Sequence, residues 1–160
     1  AHAGLASAVM VADCLRVLPT DAQGRRVAAA HAGWRGLASG VLARAVQSFE
    51  GNLGRHDELM AWLGPCIGPK AFEVGGEVKA QFEAADGQAA RCFTPAGAPG
   101  KWLADLPALA RLRLQALGVR QIYGNDGSAG WCTVSSPSKF FSYRRERVSG
   151  RLAALVWRER

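Results

Sequence analysis

The 160-residue sequence predicts a layered α/β or α+β domain, a mixed β-sheet with flanking helices. Three observations lead there. Short apolar runs rich in valine alternate with stretches whose apolar residues recur at helical spacing, clusters of Gly, Pro and Asn punctuate them, and neither a repeat nor a helix-only pattern runs through the chain. With 49% hydrophobic and 21% charged residues, the chain holds enough apolar material for a core and too few charges for a disordered segment.

Leu5–Ala12 reads as a buried strand because it is almost continuously apolar and carries Val9 and Val11. It delivers Asp13 and Cys14. Pro19–Arg26 has the composition of a connection, and Val27–Ala30 reads as a second strand that delivers His31 and the glycine-flanked Gly33, Trp34, Arg35, Gly36. Neighbouring strands lie about 5 Å apart, so two such strand ends bring Cys14 and His31 together. Leu37–Phe49 has the spacing of one helical face, with Gly51–Gly54 as its exit.

Leu59–Leu63 reads as a strand, and the two Gly-Pro steps of Gly64–Pro69 set the shape of the loop after it. Phe72–Phe82 predicts a helix and Asp86–Pro99 an irregular bridge. Leu106, Leu109, Leu112 and Leu117 predict an amphipathic helix over Asp105–Leu117, with Asp105 as N-cap, Pro107 in the first turn and Gly118 as its end. Val119–Tyr123 is the next strand. Trp131–Val134 reads as extended, and Lys139–Tyr143 and Leu152–Trp157 as the final strands.

The net charge of +7 permits attraction to phosphate or acidic substrates, and the basic segment Tyr143–Arg160 holds much of it. Repeated aromatic-basic patterning is absent, which argues against nucleic acid as partner. Cys14, Cys66, Cys92 and Cys132 are widely spaced and lack a Cys-x-x-Cys pair, so they read as reduced thiols rather than a disulfide framework or a zinc ribbon. The sequence shows neither a membrane span nor a complete secretory signal, and the expected location is the cytoplasm.

Cys14 and His31 support two chemistries. In one, histidine activates the thiol as a nucleophile, as in a cysteine hydrolase. In the other, thiolate and imidazole ligate zinc and leave a position open for water, which demands a third ligand. Asp13 suits orientation of His31 or a water, and equally a capping or turn role. Arg35 offers a planar fork for phosphate and Trp34 an apolar wall. Phe140, Phe141, Tyr143, Arg144 and Arg145 form a second cluster, in which one arginine binds an anion while the other makes a structural pair. His2 and His56 read as exposed.

Ala12–Cys14 (ADC), His31–Gly36 (HAGWRG), Gly64–Gly68 (GPCIG), Phe72–Gly75 (FEVG), Phe140–Arg145 (FFSYRR) and Ser149–Arg151 (SGR) occur in order over almost the whole chain. Together they closely resemble the multicopper polyphenol oxidoreductase or laccase-domain family, whose members are described as zinc-dependent purine nucleoside phosphorylases with adenosine deaminase activity. The resemblance implies a layered mixed α/β fold related to cysteine-histidine hydrolase-like folds, one domain over residues 1–160. It makes Cys14 and His31 metal ligands and, with Arg35, catalytic residues. Trp34, Phe141, Tyr143, Arg144 and Arg145 become candidates for substrate binding. The expected partners are purine nucleosides and inorganic phosphate, with no nucleic acid and no membrane.

The family's third zinc ligand is a histidine in an upstream motif without counterpart here, and His2 stands in the wrong context for it. The resemblance implies a monomer apparently lacking the usual upstream region; if these residues are the whole polypeptide, an exposed sheet edge would invite self-association, or another chain would supply the absent part. Three other readings compete. Copper-dependent polyphenol oxidation suits a chain with three histidines poorly. A cysteine hydrolase and a non-catalytic binder of cell-envelope precursors, after the family's link to peptidoglycan editing, complete the set.

Overall fold

The computed structural model describes residues 4–49 and 58–159. The expected helix exit at Gly51–Gly54 and the histidines His2 and His56 lie outside the described residues. In chain order the strands are β1 (Ser7–Val11), β2 (Leu15–Asp21), β3 (Ala30–Ala32), β4 (Leu59–Leu63), β5 (Glu73–Gly75), β6 (Phe93–Pro95), β7 (Lys101–Ala104), β8 (Gln121–Gly124) and β9 (Leu152–Val156). The helices are α1 (Trp34–Ala38), α2 (Val41–Gln47), α3 (Gly76–Ala85), α4 (Leu106–Ala116) and α5 (Tyr143–Glu146).

Among the described residues the strands form three sheets. The central one has the order β3-β2-β4-β8, antiparallel except for the parallel β4–β8 pair. β5-β7-β6 is an antiparallel three-stranded sheet, and β1 and β9 pair as an antiparallel ribbon. The layered mixed α/β architecture is the expected one. Leu15, Val17, Leu59, Ala61 and Leu63 are each at most 1% exposed and share one core with Leu37, Leu42 and Val46 from α1 and α2, and with Leu109 and Leu114 from α4. On β4 the alternation leaves Met60 and Trp62 half-buried, as the two-residue period of a strand requires.

Several elements differ from the sequence reading. Pro19–Arg26 is not a connection throughout, because β2 runs through Pro19 to Asp21. The β3 ladder ends at Val17, and the proline needs only an acceptor there, which its carbonyl provides to the Ala28 amide at 3.0 Å. Val27 makes a single bridge to Thr20, and the strand begins at Ala30. β1 and β3 are therefore not paired partners: β2 pairs with β3, and β1 with β9.

The Leu37–Phe49 helix is two helices, broken at Gly40, whose φ of 81° is left-handed. Phe72–Phe82 opens as strand, since Glu73–Gly75 pairs with β7 before α3 begins. The irregular bridge and the stretch after it supply β6 and β7. Trp131 closes a short 3-10 turn from Ala129, and Cys132 makes a single bridge to Cys66. Lys139–Tyr143 is not a strand, and its last residue instead starts α5 behind a Ser142 cap on the Arg145 amide. α4 is as expected: the Asp105 carboxylate accepts from the Ala108 amide at 2.9 Å, and Gly118 (φ 84°) follows its end.

Candidate active site

β1 ends at Val11, and the chain turns through Ala12–Cys14 into β2. Asp13 holds that turn with φ 75°, in the left-handed region that Asp and Asn tolerate better than most residues. Its side chain is engaged on both oxygens. Oδ1 accepts from Thr133 Oγ1 at 2.6 Å and Oδ2 from the Arg144 amide at 2.7 Å, while its carbonyl accepts from the Ile67 amide at 2.8 Å. Of the roles open to this carboxylate, capping and turn-holding are the ones its bonds express.

Cys14 is half-buried, and burial, with the neighbouring Asp13 charge second, pushes its thiol above the ordinary value. His31 stands on the edge strand β3, in register with Arg16 of β2, and is exposed. A Cβ built on Gly33 would lie 2.9 Å from Cys14 Sγ and 3.4 Å from His31 Nε2. The two donor atoms thus converge on a space that glycine leaves open. Thiolate and imidazole suit zinc in kind, although no group of three His, Cys, Asp or Glu that could hold a metal occurs among the described residues.

Three clefts meet at Cys14. One of about 410 Å³ is lined by Cys14, His31, Gly33, Trp34, Arg35 and Gly36. A second, of about 300 Å³, has Asp13, Cys14, Trp34, Arg35, Tyr143 and Arg144 around an apolar floor of Ile67, Phe72 and Leu106. The third, of about 260 Å³, carries His31, Met10, Tyr143 and Arg151. A larger cavity of about 480 Å³ lies around Arg25, Arg26 and Arg158, and neither Cys14 nor His31 lines it.

Trp34 and Arg35 open α1, and the Arg35 guanidinium stacks 4.4 Å from the Trp34 ring centroid. Arg144 reaches over Phe72, with Cζ 5.6 Å from the ring centroid. Arg145 turns the other way. Its guanidinium donates to the carbonyls of Thr133, Val134 and Phe140 and pairs with Glu146, so the two adjacent arginines divide into a cleft cation and a structural one. Phe141 lines none of the three clefts. Its ring instead lies on Gly150, where a Cβ would come within 2.9 Å.

Sequence reasoning did not single out Met10, Ile67, Phe72, Leu106 or Arg151 as cleft residues. Ile67, Phe72 and Arg151 stand inside the GPCIG, FEVG and SGR segments, which was the available signal. Cys66 is fully buried, all four cysteines are free, and no helix among the described residues is long and apolar enough to cross a membrane.

Residues 1–159 match the family model for multi-copper polyphenol oxidoreductase laccase. Among curated proteins, a purine nucleoside phosphorylase of Pseudomonas aeruginosa is 53% identical over 96% of this chain and 61% of its own length. The purine nucleoside phosphorylase YfiH of Escherichia coli is 50% identical over 96% and 60%. Among solved structures, a Neisseria meningitidis protein of the DUF152 family superposes with a TM-score of 0.88 at 48% identity, over 97% of this chain and 61% of that one. YlmD from Geobacillus stearothermophilus gives 0.88 at 29% identity, over 99% and 58%. The chain spans about three-fifths of the length of the curated relatives it matches.

Proposed function

This chain belongs to the multi-copper polyphenol oxidoreductase laccase family, and from that membership we propose that its Cys14 site performs zinc-dependent phosphorolysis of purine nucleosides, with deamination of adenosine as a second reaction. The relatives' names supply the reaction class. The observation that supports it in this chain is the convergence of Cys14 Sγ and His31 Nε2 on the space over Gly33, where three clefts meet.

In phosphorolysis a phosphate oxygen bonds to the anomeric carbon of the sugar and the glycosidic C–N bond breaks. The electron pair leaves with the purine, whose nitrogen takes a proton. Arg144 and Arg35 are the cleft cations that hold the phosphate and balance its charge. Trp34 and Phe72 offer aromatic faces to the base, and Ile67 and Leu106 keep the floor apolar, which disfavours water as a competitor of phosphate. In deamination, water adds at the amino-bearing carbon of the purine and ammonia leaves.

Among the described residues Cys14 and His31 would hold the zinc, which would supply Lewis acidity when bound. A site built on a reduced thiol fits a reducing compartment, the cytoplasm.

The test incubates the zinc-loaded chain with inosine or adenosine, with and without phosphate. Free base and ribose 1-phosphate are expected only with phosphate, and inosine from adenosine in either buffer. Cys14→Ala and Gly33→Ala should both lose bound zinc and turnover while keeping their fold. Gly33 has φ −63°, which alanine accepts, so its methyl acts only by crowding the sulfur and the imidazole. Full turnover by Gly33→Ala, or none by the folded, metallated native chain, would sink the reading.

A further inference from the structure

We propose that Asp13 is a positioning residue, whose carboxylate ties the turn carrying Cys14 to the segment carrying Tyr143 and Arg144 and thereby sets where Arg144 stands over the cleft. Its kinetic consequence rests on the phosphorolysis reading above, whereas the clamp itself rests on hydrogen bonds alone.

Asp13 is 8% exposed, lines the cleft that Cys14 borders, and bonds to two other residues of that cleft, Ile67 and Arg144, and to Thr133 behind it. Through its carbonyl it holds Ile67 of the apolar floor, and through Oδ1 it holds Thr133 at 2.6 Å. Thr133 is itself fully buried, its amide donating to the Cys66 carbonyl at 2.9 Å and its own carbonyl accepting from Arg145 Nη1 at 2.7 Å. Through Oδ2 Asp13 holds the Arg144 amide at 2.7 Å. These are short bonds to a carboxylate almost wholly out of water, where hydrogen bonds are stronger than at the surface.

The next amide, that of Arg145, goes to Ser142 Oγ, and the Arg145 side chain is committed to Thr133, Val134, Phe140 and Glu146. The backbone on both sides of Arg144 is therefore pinned, and its side chain reaches over Phe72 into the cleft that Cys14 borders. Both carboxylate oxygens of Asp13 are already engaged by Thr133 and the Arg144 amide. It acts through the position of Arg144.

Three variants separate positioning from mere support. Asp13→Gly keeps the left-handed turn, which glycine adopts freely, and removes the clamp. Asp13→Asn keeps one oxygen for the Arg144 amide, provided the Thr133 hydroxyl turns to accept from the new NH2. Arg144→Ala removes the group acted upon. With inosine as substrate, Asp13→Gly should raise the KM for phosphate at least tenfold while kcat stays within threefold, and Asp13→Asn should return KM to within threefold of the native value. In an Arg144→Ala background, Asp13→Gly should add no further rise.

A loss confined to kcat, or a second rise on top of Arg144→Ala, would overturn the proposal. Backbone amide exchange at Arg144 answers without turnover: slow in the native chain, and at least tenfold faster in Asp13→Gly. An Arg144 amide that exchanges in the native chain like an exposed one overturns the clamp even if Asp13→Gly fails to fold. Absence of phosphorolysis with a protected Arg144 amide overturns the reaction and supports the clamp.

Discussion

At the scale of single residues, the site depends on what glycine omits and on what burial does to sulfur. Gly33 leaves open the point on which a thiol and an imidazole converge, and the sequence made that glycine visible only as part of a flanked motif. Cys14 and His31 were legible because each follows an apolar run. Asp13 was not, since a carboxylate after a strand can cap, turn or catalyse, and only the positions of Thr133 and Arg144 decide among these. Cys66 shows burial as the leading cause of such a shift. Enclosure raises its thiol far above the ordinary 9.0, with Asp105 adding to the shift, and the Asn125 side-chain amide and the Arg16 guanidinium do not offset this. A thiol whose folded pKa is raised contributes stability that is complete below the unfolded value and lost as pH climbs past it, because the unfolded chain releases its proton first. The urea midpoint should therefore fall as pH rises above about 9. Cys66→Ala should flatten that alkaline limb in part, Cys14 and Cys92 being raised as well. An unchanged slope in the variant would mean that the buried thiol is not the group being titrated.

Among the elements, those whose patterns were internally complete were the ones the sequence disclosed. β4 alternates over its whole length, and α4 carries its own cap, its proline and its terminal glycine, so no distant residue was needed to define either. The segment from Trp131 to Glu146 is the opposite case. Its aromatic residues suggest strand, yet its shape is imposed by side chains reaching in from elsewhere, Asp13 above all, and by Arg145 bridging back to three carbonyls. The fork of one guanidinium replaces a ladder that this segment lacks. Arg145→Ala should lower stability by about 2 kcal/mol, the order expected when hydrogen bonds to a charged group are lost and carbonyls are left unpaired. Arg145→Lys should recover little, because a compact ammonium cannot span acceptors set out for a planar fork. The urea midpoint at unchanged m-value measures both. Full recovery by lysine would show that charge rather than geometry holds the segment.

For the molecule as a whole, the three sheets are unequal in how they are held. The central sheet and the β5-β7-β6 sheet share one core with the helices, whereas the β1–β9 ribbon contributes only Val9 and Val11 from β1 to the buried apolar set. β9 has no buried residue, and Met10 and Leu155 are 63% and 51% exposed. That imbalance was hidden from sequence, because Leu152–Trp157 is as apolar as a core strand and hydrophobicity alone does not say which strand it will face. A two-stranded ribbon that buries only the inward face of one strand gains little from the layer beneath it, and two strands by themselves are marginally stable in water. Opening of such a unit costs less than global unfolding, so its amides should exchange by a subglobal route. In native-state hydrogen exchange, the β9 amides bonded to β1 should therefore lose protection well before those of β2, β4 and α4. Added urea should bring the two classes together only near the global transition. β1 leads directly into Asp13 and Cys14, and Arg151 immediately precedes β9, so each opening would uncouple one wall of the cleft from Cys14. Equal protection of β9 and β4 across the urea series would instead make the ribbon part of the same cooperative unit as the core, and the cleft as rigid as the sheet beneath it.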